Sequence, residues 1–99
     1  MERKKCYISG RISGLPRGQA ERNFSSAVLQ VFKMGYAPVN PMNNGVPYWM
    51  PWCVHMVVDL FSLAFCDTIA LQDNWRESRG ARIEYRFAIY LGKDVIFLK

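Results

Sequence analysis

Apolar residues in this chain come in short runs, separated by longer stretches of helical spacing. "KKCYIS" over 4–9 reads as a strand, followed by the loop "GRISGLPRG", with three glycines and a proline. From Gln19 to Met34 the residues Ala20, Phe24, Ala27, Val28 and Val31 recur at helical spacing, and Gly35 is a natural stop. "YAPV" over 36–39 predicts a short second strand, and the Asn-, Pro- and Gly-rich "NPMNNGVP" over 40–47 predicts a loop. A second helix is expected from about Pro51 to Phe65, with proline at an acceptable first position. "DTIAL" over 67–71 is a third strand and "QDNWRE" a loop. Ser78 is placed to cap a third helix running to Leu91 and ending at Gly92, and "DVIFL" over 94–98 is a fourth strand.

The order βαβαβαβ predicts a three-layer α/β/α domain, with a four-stranded parallel sheet between helices on both faces. Its strands are short and apolar, as strands buried on both faces must be. In such sheets ligands bind beyond the carboxyl ends of the strands, where the strand order reverses. Loops 10–18, 40–50 and 72–80 are expected at that edge.

Two helices depart from simple amphipathicity. At roughly 100° per residue, Ala81, Phe87, Ala88 and Leu91 surround Glu84, while Arg79, Arg82 and Arg86 lie opposite. A carboxylate near the middle of an apolar face is costly unless compensated. The early turns of the helix favour an anion, and the strand-end edge admits water. Glu84 is therefore either an inward acid paired with an arginine or backbone amide, the commoner arrangement, or a nucleophile at the mouth of a cleft. Asp59 poses the same question among Trp52, His55, Met56, Leu63 and Cys66. An interface or capping acid and a catalytic one are equally compatible with that pattern. His55, one turn from Asp59, reads first as a hydrogen-bonded core residue. With Val54, Val57, Phe61 and Ala64 opposite, the second helix is apolar all round and is expected to be covered on both sides. A second copy of the chain, as a two-fold dimer, is the simplest cover.

Composition narrows the class. Ninety-nine residues, 51% of them hydrophobic, form one domain (1–99) with a real core and no internal repeat or linker. Net charge is +5, from 13 Lys and Arg against 8 acids. The basic residues are scattered, with only "RKK" at 3–5 clustered, and no nucleic-acid motif is present. Nucleic acid is therefore not the expected partner. Cys6, Cys53 and Cys66 form no CxxC pair and sit in apolar segments, so neither a disulfide framework nor a zinc site is expected. Free thiols, a charged N-terminus without a signal peptide and the lack of a spanning segment point to the cytoplasm and away from membranes. "YISGRISG" over 7–14 places Gly10 and Gly14 just after a strand, with Ser9, Arg11 and Ser13 nearby. It matches neither GxGxxG nor a Walker loop, so by spacing alone an ordinary βα turn is the expected reading ahead of a phosphate loop.

Four segments together, "YISGRISG", "VNP" at 39–41, "DLFSLAFCD" at 59–67 and "SRGARIE" at 78–84, resemble the nucleoside 2-deoxyribosyltransferase-like superfamily over nearly the whole chain. They are most similar to its small bacterial and phage proteins classed as a domain of unknown function. Characterised relatives are deoxyribosyltransferases and 2'-deoxynucleoside 5'-monophosphate N-glycosidases. The resemblance implies a flavodoxin-like fold and a nucleoside or nucleotide as partner. It also implies N-glycosidic bond cleavage or deoxyribosyl transfer, without metal or other cofactor. Under it Glu84 corresponds to the nucleophile, Asp59 to the acid that assists departure of the base, and Tyr7 to a tyrosine beside the nucleophile. Gly10, Ile12, Ser13, Ser78 and Gly80 correspond to the phosphate site, with Arg11 as a further anion contact. Two carboxyl groups about 5 Å apart would then act as in a retaining glycosidase. The loop departs from the glycosidase pattern at Ser13, where a basic residue is usual. A nucleotide-binding or regulatory module that has lost turnover is the alternative. Trp49, Trp52 and Trp75 are candidates to stack on a base, with core or interface packing expected for at least two of them.

Overall fold

The computed structural model describes residues 3–47 and 49–99, so position 48 of the expected 40–50 loop lies outside the described residues. Four strands, β1 (Lys5–Ser9), β2 (Ala37–Val39), β3 (Thr68–Leu71) and β4 (Asp94–Phe97), alternate with three helices, α1 (Arg17–Lys33), α2 (Trp52–Ala64) and α3 (Arg79–Tyr90). All strand pairs are parallel, in the order β2-β1-β3-β4, with Tyr7 in register with Val39 on one side and Ile69 on the other. The chain runs outward from β1 to β2 and then crosses back to β3. The order therefore reverses between β1 and β3, which opens a crevice at their carboxyl ends.

The side-chain alternation of β1 divides the core. Cys6 and Ile8 join Phe24, Ala27 and Val31 of α1, with Ala70 and Leu98, in one apolar cluster. Tyr7 joins Leu63 and Cys66, from α2 and its C-terminal end, with Ile69, Leu71 and Ala88, in the other. A strand with period two necessarily serves both layers. α1 therefore covers one face, while α2 and α3 share the other.

Local signals set most boundaries. Ser78 caps α3, its Oγ accepting the Ala81 N–H at 3.2 Å. Gly92 ends the helix at a φ of 74°, where its lack of a Cβ removes the steric penalty. α1 begins at Arg17 rather than Gln19, because Pro16 can precede a first turn whose N–H groups need no intrahelical partner. Pro51 likewise stands just before α2 rather than inside it. The expected loops after β2 and β3 each contain a short 3-10 turn, at Pro41–Asn43 and Trp75–Glu77. Leu91, expected on the buried face of α3, is 41% exposed and is the C-terminal cap of the helix, beyond the last turn that packs on the sheet. Among the described residues no helix is long and apolar enough to cross a membrane.

Candidate active site

Glu84 is 5% exposed and faces the crevice from the second turn of α3. Each carboxylate oxygen has its own hydroxyl donor. Ser9 Oγ donates to Oε1 at 2.7 Å, and the Tyr7 hydroxyl donates to Oε2. Both donors come from the same face of β1, two residues apart, as the pleat requires. Neither an arginine nor a backbone amide pairs with Glu84 among the described residues, so the compensation differs from the structural pair weighed for it. Burial raises its pKa from 4.5 to about 7, while the two hydroxyl hydrogen bonds pull it down and Asp59 adds a further push upward. The Tyr7 hydroxyl is pushed well above its ordinary value by burial and by the two carboxylates, so it remains a donor.

Asp59 is 7% exposed on α2. Burial raises its pKa, opposed by a hydrogen bond from Asn44 and, when its ring is protonated, by His55. Asn44 Nδ2 lies 3.0 Å from Asp59 Oδ1 and 3.3 Å from His55 Nδ1. Asp59, on another helix, acts on Glu84 through its charge alone and is the weakest of the influences on its pKa.

A cleft of about 400 Å³ opens beside Glu84; Asp59 and Tyr7 lie behind its wall and are not among its lining residues. Glu84 lines it, as do Gly10, Ile12 and Ser13 of the first loop and Ser78 and Gly80 at the start of α3. Asn44 and His55 form another part of its wall, with Met42, Val46, Met50 and Met56 giving it an apolar character. Of the tryptophans, Trp52 lines the cleft. Trp75 packs in an aromatic cluster, 4.8 Å from Tyr85 and 6.2 Å from Phe97 between ring centroids. Trp49 is exposed and outside the lining.

Arg11 does not line the cleft. Its backbone N–H bonds Asn74 Oδ1 at 3.0 Å, and its Nε donates to the Ser13 carbonyl at 3.1 Å, so the guanidinium folds back on its own loop. Arg17, which the sequence did not single out, reaches the wall from the first turn of α1. Gly10 has a packing role as well, since a Cβ there would lie 2.5 Å from Gln72 Nε2. Asn44 was also missed. Its only sequence signal was membership of a turn-rich loop, which says nothing about where a side chain points. Among the described residues no three His, Cys, Asp or Glu side chains cluster as metal ligands.

Residues 4–97 match the family described as Domain of unknown function (DUF4406), and the chain belongs to that family. No curated protein matches it. Among solved structures, a 2-desoxiribosyltransferase from Leishmania mexicana superposes with a TM-score of 0.69 at 19% identity, over 96% of this chain and 63% of that one. A CMP N-glycosidase from Clostridium botulinum superposes with a TM-score of 0.63 at 18% identity, over 95% of this chain and 67% of that one. The chain thus spans less than two thirds of the first of these. At such identities the likeness is one of fold, and it is the deoxyribosyltransferase fold that the sequence segments resembled.

Proposed function

We propose that this DUF4406 protein cleaves the N-glycosidic bond of a nucleoside, deoxynucleoside or its 5'-monophosphate, with Glu84 as nucleophile and Asp59 as the acid that assists the leaving base. The observation that carries this is Glu84 itself: a nearly buried carboxylate on the wall of a cleft at the strand-order switch, held by two hydroxyls instead of a cation. An arginine partner would lower its nucleophilicity by neutralising it. The hydroxyl pair orients it and favours the ionised form while leaving the charge in place.

In the proposed reaction a Glu84 oxygen attacks the anomeric carbon. The carbon–nitrogen bond breaks through an oxocarbenium-like transition state, and the bonding pair leaves with the base. Asp59, whose proton affinity is raised by burial, supplies the proton the departing nitrogen needs. Water or a second base then takes the sugar from the glycosyl ester. For a monophosphate, the loop of Gly10, Ile12 and Ser13 and the capping end of α3 at Ser78 and Gly80 would hold the anion. Arg17, with its side chain 63% exposed and tied to Glu21 at 3.1 Å, is the available cation in the position Arg11 does not occupy. Trp52 is the tryptophan placed to meet a base.

The test is a panel of ribo- and deoxynucleosides and their monophosphates, followed chromatographically for free base. Native protein is expected to release base from at least one class. Glu84→Ala is expected to lose about a thousandfold or more of that rate while staying folded. Base release unchanged in Glu84→Ala overturns the assignment. Nucleotide binding without turnover by native protein would favour a regulatory module instead, with Tyr7 and Ser9 simply satisfying a buried acid.

The outer side of α2 supports a second proposal, that the protein works as a homodimer. Val57, Phe61 and Phe65 are 60%, 67% and 73% exposed, a contiguous apolar stripe that a single chain leaves in water. Phe61→Asp is expected to convert a dimer to a monomer by sedimentation; a native protein that is already monomeric would remove the proposal. The free thiols of Cys6, Cys53 and Cys66 support a reducing compartment, the cytoplasm.

A further inference from the structure

We propose that Asn44 is a positioning residue that fixes His55 as its Nε2–H tautomer and determines which oxygen of Asp59 carries a proton. The base-side wall of the cleft would then present one fixed N–H donor, with an acid of fixed proton position behind it. The tautomer follows from geometry alone; what the donor meets in catalysis rests on the N-glycosidase reading above.

Val46 N–H bonds Asn44 Oδ1 at 3.0 Å. A backbone N–H can only donate, so the oxygen of the Asn44 amide must lie on that side and its nitrogen on the other. That nitrogen is 3.0 Å from Asp59 Oδ1 and 3.3 Å from His55 Nδ1. It carries two hydrogens and accepts none, so it can serve both neighbours at once only by donating to each. His55 Nδ1 must therefore be bare, and the hydrogen of the neutral ring sits on Nε2. His55 lines the cleft, and among the described residues no protein group bonds its Nε2. The donor is thus left for a ligand, and it suits a base that offers a ring nitrogen or carbonyl acceptor.

The same amide constrains Asp59. Oδ1 accepts the Asn44 hydrogen, and a carbonyl oxygen accepts better than a hydroxyl, so a proton on this carboxyl is favoured on Oδ2. Asn44 therefore joins two elements through three residues: Val46 in the loop after β2, and His55 and Asp59 one turn apart on α2.

The chain has one histidine, so the tautomer can be read without assignment ambiguity. In ¹⁵N-labelled native protein, at a pH where its own ¹⁵N shifts show the ring neutral, long-range ¹H–¹⁵N spectra of the imidazole are expected to show the Nε2–H form alone. Asn44→Asp puts an acceptor opposite Nδ1 and is expected to convert the ring to the Nδ1–H form, and Asn44→Ala to give a mixture. A native ring in the Nδ1–H form or an even mixture overturns the proposal without needing any variant to fold. So does retention of Nε2–H in a folded Asn44→Asp protein. Where base release is observed, Asn44→Ala is expected to lower kcat/KM by roughly tenfold, the scale of one lost hydrogen bond. A folded Asn44→Ala that retains native kcat/KM would sink the catalytic half. Absence of base release by native protein would sink the N-glycosidase reading and that catalytic half with it, while the tautomer stands or falls on the spectra.

Discussion

The two faces of the sheet are built from the same strands and do opposite things. On the α1 face, Cys6, Ile8, Phe24, Ala27 and Val31 make a dry cluster in which nothing titrates near neutrality; even the Cys6 thiol is pushed up to about 12 by burial. On the α2 and α3 face, the next residues of β1, Tyr7 and Ser9, carry hydroxyls that hold a buried carboxylate. One five-residue strand thus contributes apolar packing to one layer and a polar site to the other. The lesson is a division of labour made possible by the pleat. The first face can be optimised for burial because the second carries the destabilising charge.

The comparison breaks most visibly at Phe24. Phe24→Ala empties the dry face and is expected to cost about 3–5 kcal/mol in denaturant unfolding. The pH dependence of stability should survive, because no titrating group is lost. A change in that dependence would mean the two faces are not separable.

The opposite experiment acts on the wet face. Glu84 binds its proton more tightly folded than unfolded, with a pKa of about 7 against 4.5. Its contribution is full at acid pH and is lost as pH rises from about 4.5 through 7. That window should remove on the order of 3 kcal/mol of stability. Glu84→Gln is expected to flatten this part of the stability–pH curve, and an unaltered slope in the variant would place the titration elsewhere.

The smallest effect comes from one hydroxyl. Tyr7→Phe leaves Glu84 Oε2 without its donor and is expected to cost about 1–3 kcal/mol at pH 8, where the carboxylate is charged. It should cost less at pH 5, where the acid is protonated. It should also move the Glu84 titration, and any base-release profile that follows it, to higher pH. A shift to lower pH would show that the tyrosine does not stabilise the ionised form.

Much of this was legible in the chain. Alternation of short apolar runs with helical spacing was enough for the parallel three-layer fold. Ser78 and Gly92 bounded α3 because a cap side chain and a positive φ are local requirements. The helical period turned Glu84 and Asp59 inward, since period alone determines which face a residue occupies. Period does not determine what a residue meets there. Tyr7 and Ser9 are 77 and 75 positions from Glu84, and only the packing of α3 over β1 brings their hydroxyls to its two oxygens. Arg11 and Arg17 illustrate the same limit. Both follow the first strand, yet the turn at Ser13 folds one guanidinium onto its own loop while the start of α1 carries the other to the cleft. Asn44 was beyond reach altogether, because a loop has no period from which a direction can be read. The sequence by itself determined the layers, the inward acids and the edge at which they lie. Beyond the tyrosine that the resemblance placed beside Glu84, the tertiary structure decided which donors hold those acids, Ser9 for Glu84 and Asn44 for Asp59, because hydrogen-bond partners distant along the chain are chosen by packing and carry no local signature.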